Sequence, residues 1–324
     1  MIVALVLAST ISAQTRATHA AVPLAADGRP DLQGVWDNSA LTPLERPADL
    51  ADQEFFPDKA AAEYESLEQY VVRLQSRFGV PEGALTGEAN GIWRARRSLG
   101  PDRRTSIIVD PPNGKLPPLT AFAAARAAEL ARMRKEHRAD NPEELSINER
   151  CISWGADPPL IPVADNNNVQ IVQTRDYVLL LLEMNHDARI VPMDGRPHLP
   201  SHLTTWLGDS RGRWEGNTLV IESTNFTSKV AAFSARLGAS GFEFGSAEHL
   251  RLTERFTRID SKTLQYEFTV NDASTFTKPF TGRLPMNLTD QMIYEYACHE
   301  GNYGLQNILR SGRAADQPGG ALKR

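Results

Sequence analysis

The chain has 324 residues, 41% hydrophobic and 23% charged, which supplies a sizeable core and excludes a chain that is disordered throughout. Its formal net charge of -5 does not provide the positive surface that nucleic acid or an anionic membrane requires, so neither is an expected partner. The length admits two domains, yet nothing along it reads as a linker, an internal repeat or a low-complexity tract, and one domain with appendages is expected.

Residues 1–13 form an apolar run of signal-peptide length that ends in small residues and is too short to span a bilayer. The usual basic n-region is missing, but a polar, Ala-rich tail follows at once. Residues 1–20 therefore read as a signal peptide, cleaved after Ala13 or Ala20, and the protein as exported, periplasmic or extracellular. In an exported chain the two cysteines, Cys151 and Cys298, are expected to pair. The alternative is two buried free thiols.

The first expected strand is Asp31 to Asp37. From Pro57 to Phe78, apolar residues at Tyr64, Leu67, Val71, Leu74 and Phe78 alternate in steps of three and four, with Pro57 in the first turn and Gly79 as the stop. This predicts an amphipathic helix. A second helix is predicted from Thr120, a natural cap, to His137; its apolar stripe of Phe122, Leu130 and Met133 is thin, so it should lie on the surface. Between the helices sit Trp93, Arg94, Arg96, Arg97, Arg103 and Arg104, followed by a short strand at Ser106 to Asp110. Arginines beside an aromatic suit a carboxylate or phosphate. With no Gly-rich phosphate cradle in the chain, the reading preferred is a loop paired with neighbouring acids.

From Asn166 onward the period becomes alternating. Strands are expected at Val169 to Gln173, Tyr177 to Met184, Gly212 to Trp214, Thr218 to Thr224, Leu250 to Ile259, Thr263 to Val270, Phe276 to Leu284 and Met292 to His299. Short strands joined by tight turns describe an antiparallel meander. The expected fold is mainly β: a lipocalin-like barrel or curved sheet over residues 31–315, with a helical insertion at 57–140 that covers it.

The stretch from Glu183 to Gly216 concentrates the unusual chemistry, with His186, Asp187, Arg189, Asp194, His198, His202, Asp209 and Arg211 between apolar strands. It reads as the lining of a functional pocket, or else as an elaborate crossover, since turns collect Asp, Gly, Pro and Arg for backbone reasons. If the strand runs straight through, His186 shares the apolar parity of Leu182, Met184, Ala188 and Ile190. Glu254 shares that of Leu250, Leu252 and Phe256, and a buried carboxylate needs a partner or a task. Glu295 and His299 share the parity of Ile293 and Ala297, beside Tyr296. Gly208-Asp-Ser-Arg-Gly212 has the spacing of a nucleophile elbow, but a short helix at Ser201 to Leu207 is expected before it and a strand after it, the reverse of what an elbow needs, so a polar turn is preferred. His198 and His202 are four apart, but Pro200 between them argues against one helix face, and no metal is expected. Without Cys-x-x-Cys, dinucleotide fingerprint or Walker loop, no cofactor is expected.

Seven stretches make the chain similar, over nearly all of its mature length, to a group of exported hypothetical proteins of environmental bacteria. They are Gly-Val-Trp (34–36), Leu-Thr-Pro-Leu-Glu-Arg-Pro (41–47), Asp-Arg-Arg-Thr-Ser (102–106), Asn-Asn-Asn-Val-Gln-Ile-Val-Gln (166–173), His-Asp-Ala-Arg-Ile-Val-Pro (186–192), Gly-Asp-Ser-Arg-Gly-Arg-Trp-Glu-Gly (208–216) and Tyr-Ala-Cys-His-Glu-Gly-Asn-Tyr (296–303). This resemblance carries no activity with it. Gly34-x-Trp36 and the meander also resemble lipocalin-like barrels, which implies a ligand-holding barrel with an arginine, Arg310 or Arg313, packed over Trp36.

The expected function is acid/base chemistry of lyase, isomerase or hydrolase type on a small apolar or aromatic molecule. His186 is the expected acid or base, Asp187 or Glu254 its orienting carboxylate, and Arg189 the anion holder. Asn168, His198, His202, Glu295, Tyr296 and His299 are expected to contact ligand. The alternative is a lipocalin-like carrier of a hydrophobic ligand.

Overall fold

The computed structural model describes residues 21–50, 52–67, 98–136, 139, 141–153, 159–163, 166–237 and 240–315, and the expected signal segment and the second half of the first predicted helix lie outside these. Among the described residues the fold is mainly β. The strands are β1 (Gly34–Asp37), β2 (Ile108–Asp110), β3 (Asn168–Gln173), β4 (Tyr177–Leu182), β5 (Ala188–Pro192), β6 (Asp209–Glu215), β7 (Thr218–Thr224), β8 (Phe233–Leu237), β9 (Ser240–Phe244), β10 (Arg251–Arg258), β11 (Thr263–Asn271) and β12 (Phe280–Thr289). Ten of them make one antiparallel sheet in the order β5-β4-β3-β1-β12-β11-β10-β7-β6, with β2 also on β12, while β8 and β9 pair as a separate hairpin.

Strict alternation builds the core. Leu252, Glu254, Phe256 and Arg258 of β10 are buried, as are Leu264, Tyr266, Phe268 and Val270 of β11 and Phe280, Gly282, Leu284 and Met286 of β12. Gly282 stands opposite Phe268, and a Cβ there would come within 2.2 Å of the Phe268 ring, so only glycine admits that ring. Phe233 meets Phe280 edge-on with ring centroids 5.1 Å apart, and Phe256, Tyr266 and Phe226 are fully buried beside them. Each such side chain contributes about 1.5–3 kcal/mol of burial.

Trp36 on β1 is fully buried, and its indole N–H donates to Leu32 O at 2.8 Å. An arginine does cover it, with the guanidinium carbon 5.1 Å from the ring centroid, but the residue is Arg258 of β10. Arg258 is placed there by the inward parity of its strand and by donation to the carbonyls of Asp31, Asp260 and Ser261. Arg310 and Arg313 lie instead on helix α3 (Tyr303–Ala315), which the expected last strand did not anticipate.

The sheet is open rather than a closed barrel: β5 and β6 are its two ends and share no ladder. The two ends nevertheless touch, since Val191 of β5 and Met193 just beyond it cover Gly212 of β6, where a Cβ would fall 2.3 Å from Met193 Sδ and 2.9 Å from Val191 Cγ1. The helices are peripheral. Residues 58–67 are helical (α1) and place Ala61 and Tyr64 against Phe56, Leu41 and Leu99 in a small satellite core. Helix α2 (Ala121–Glu136) lies on the surface as expected, but the stripe of Phe122, Leu130 and Met133 is exposed rather than packed, and Ala123 is buried instead. No helix among the described residues is long and apolar enough to cross a membrane.

Three segments depart from the expected pattern. Residues 290–302 form no strand, and residues 201–207 form turns and an isolated bridge instead of a helix. The run from Tyr177 does not continue straight: it breaks after Leu182 into a turn in which Asn185 and His186 take left-handed φ of 56° and 44°. That turn inverts the expected parity of β5, so Arg189 and Val191 face inward while Ala188 and Ile190 are exposed.

Candidate functional site

Three polar centres sit on this framework. The first is inside the sheet. Arg189 reaches from β5 across the interior to Glu254 on β10, both guanidinium Nη groups donate to its carboxylate, and the two side chains are 2% and 0% exposed. Tyr266 donates its hydroxyl to Glu254 Oε1 at 2.8 Å and accepts the Leu160 N–H at 2.9 Å. Burial works against the Arg189 charge, but Glu254 more than offsets it and raises the pKa further. Burial beside the same carboxylate pushes the Tyr266 hydroxyl well above its ordinary range. Two of the expected catalytic residues are thus brought together, but in a sealed network that ties one end of the sheet to β10 and β11. Tyr266 shares the parity of Leu264 and Phe268, the signal by which sequence reading would have found it.

The second centre is the end of the sheet at the β4–β5 turn. Glu183, buried, accepts the backbone N–H groups of Asn168 and Tyr294, each at 3.3 Å, and so binds the 290–302 segment to β3. The Cys151–Cys298 disulfide, with Cα atoms 5.6 Å apart, fixes that segment again. Asp187, half-buried, has its pKa raised to about 6 by burial, with the neighbouring His186 and the Ser153 hydroxyl pulling the other way. His186 is exposed, and no hydrogen bond joins it to Asp187, Arg189 or Glu254 among the described residues. Glu295 and His299 are exposed and Tyr296 half-buried on the irregular segment, rather than on a strand facing the core.

The third centre lies where the loop after β5 returns to β6. His198 Nδ1 is 2.8 Å from Asp209 Oδ2, and the same oxygen accepts the Leu199 N–H at 3.0 Å. Asp209 Oδ1 accepts from Arg211 Nη1 at 2.6 Å, while Arg211 Nε donates to Pro197 O at 3.0 Å. Burial would raise the Asp209 pKa, but the Leu199 amide, His198 and Arg211 outweigh it and hold the carboxylate below its ordinary range. An ionised Asp209 can only accept, so His198 Nδ1 carries the proton and Nε2 is left as the basic nitrogen. The His198 side chain is 30% exposed and that of Asp209 7%, so the imidazole is reachable while its carboxylate is shielded. Asn225 completes the clamp by donating to Leu199 O and Pro200 O.

His202 is exposed on the same loop. Ser210 is buried within β6 with its hydroxyl 2.7 Å from that of Ser223, so it is part of the strand pairing and not a nucleophile elbow. Arg103 and Arg104 pair with Asp58 and Glu54, as a structural loop requires; Trp93, Arg94, Arg96 and Arg97 lie outside the described residues. Among the described residues no three His, Cys, Asp or Glu side chains form a metal-binding group. Comparison with protein-family models, curated proteins and solved structures found no match to this chain, which leaves the resemblance to exported bacterial proteins without support.

Proposed function

We propose that the protein is an exported acid/base catalyst acting on a small apolar or aromatic molecule, with His198 as the proton-transfer group and Asp209 as its orienting partner. The observation that carries this reading is the His198–Asp209 hydrogen bond at 2.8 Å, made on Nδ1 and so leaving Nε2 free to take a proton from a substrate. Arg189 and Glu254 are not given this role, because side chains sealed from solvent and paired with each other meet no substrate. The exposed Leu199 and Leu203 and the half-buried Trp206 put apolar surface on the same loop, which suits an apolar or aromatic substrate. The disulfide is compatible with an oxidising compartment.

Carriage of a hydrophobic ligand is the competing reading, favoured by the Arg258–Trp36 stack at the sheet's opening strand. The core against the sheet is filled by Phe233, Phe256, Tyr266, Phe268 and Phe280, which an interior ligand would have to displace. Turnover of a panel of small aromatic esters, lactones and enolisable ketones, followed by mass spectrometry, separates the two. Conversion by the wild type that falls about a hundredfold or more in His198→Gln, with folding intact, supports catalysis. Equal conversion by both proteins, or recovery of an unchanged ligand bound equally to both, overturns it.

A further inference from the structure

A small cavity of about 10 Å³ lies beside the N-terminal end of β3, lined by Asn38, Leu160, Val163, Asn166, Asn168 and Met184 among others. Asn38 is 3% exposed, and its side-chain Nδ2 donates to Leu160 O at 3.0 Å, which fixes the carboxamide orientation and identifies Oδ1 as the acceptor. That Oδ1 is buried and has no hydrogen-bond partner. A buried acceptor left unsatisfied costs about 1–3 kcal/mol, so the site selects a donor. The surrounding backbone is already committed: Asn167 Oδ1 accepts the Val163 N–H at 2.7 Å, Asn167 Nδ2 donates to Val163 O at 2.9 Å, and Asn167 O accepts the Asn38 N–H at 3.2 Å.

We infer that this cavity is a binding site for one water-sized hydrogen-bond donor held on Asn38 Oδ1, and that the donor is water. The volume has room for about one water molecule, which excludes a larger ligand head group. Asn166 and Asn168 line the same space, and their polar groups are the candidates for the further partners a bound water needs. Ammonium offers the same donor chemistry, but among the described residues that line the cavity there is no carboxylate to balance its charge. The bound water completes the link between the end of β1, the 160–163 segment and β3, and gives Asn168 a ligand, although not the substrate expected of it. The inference is independent of the proton-transfer role of His198.

The test uses the full chain in three arms. A crystal structure at a resolution that orders internal waters should show one density peak within hydrogen-bonding distance of Asn38 Oδ1; a cavity without density overturns the inference. Thermal unfolding in ammonium chloride and in sodium chloride at equal ionic strength should give the same midpoint, and a midpoint raised by ammonium alone overturns the assignment to water. Val163→Ile adds one methyl group to the lining and should displace the donor, lowering the midpoint by about 2–4 °C because Asn38 Oδ1 is left unsatisfied. A raised midpoint would mean that the methyl group fills an apolar void, and overturns the inference.

Discussion

Replacing Asp187 by asparagine should stabilise the protein at neutral pH and leave it unchanged in acid. The side chain is half-buried, and its pKa rises from 3.8 to about 6 because burial disfavours the charged form more than His186 and Ser153 favour it. The folded state therefore holds this proton more tightly than the unfolded chain. At pH values below the unfolded pKa both states are protonated and the group contributes nothing. Between 3.8 and about 6 the unfolded chain gains the advantage of ionising first, and above that range the full penalty persists. A shift of this size corresponds to about 3 kcal/mol, and partial exposure to solvent reduces it to about 1–2 kcal/mol. A carboxamide at this position would keep the shape and a hydrogen bond to Ser153 while carrying no charge. Urea unfolding of the wild type and Asp187→Asn at about pH 7.5 should differ by that amount, with the difference closing at about pH 3.5. A variant that is equally stable, or less stable, at the higher pH would refute the argument that a desolvated carboxylate sits in this turn.

Two further outcomes follow from the framework. Glu254→Gln leaves the Arg189 charge buried without its counter-ion and should cost about 3–5 kcal/mol, whereas the double change Arg189→Met with Glu254→Met should recover most of that loss, a pattern read by chemical denaturation. Changing both cysteines to alanine should cost about 2–5 kcal/mol and open residues 290–302 to limited proteolysis, because the hydrogen bonds that also tie the segment down, from Tyr294 N–H to Glu183 and from Asn302 Nδ2 to Glu149 O, are long or exposed.

The alternating strands were legible because burial on one face writes itself into every second residue: Leu252, Glu254 and Phe256 share one parity in the sequence and are buried together, and Glu254 has a buried partner in Arg189. The inversion of β5 was not legible. Two left-handed residues, Asn185 and His186, reset the period; asparagine and histidine tolerate that conformation better than most residues, but far more of them adopt ordinary φ, so the pair does not by itself mark a break. This one turn leaves His186 exposed and Arg189 in the core, so the two residues expected to act together face different environments. β12 begins at Phe280, four residues later than the apolar run at Phe276 suggested, because Phe276 packs from the preceding turn through an isolated bridge to Leu119. Helix α3 was hidden by Gly304 and Gly312, the latter packed against Ala139 O, where a Cβ would come within 2.9 Å. The pairing of His198 with Asp209 spans a loop and depends on its fold, so sequence could bring the residues into one stretch but could not join them.

The most direct measurement on the central claim is the tautomer of His198, read from long-range proton–nitrogen correlations of uniformly labelled protein at alkaline pH. The proton should sit on Nδ1, facing Asp209, with Nε2 unprotonated, and Asp209→Asn should erode that preference. A wild-type His198 protonated on Nε2, or one that samples both tautomers as a free side chain does, would contradict the proton-transfer role.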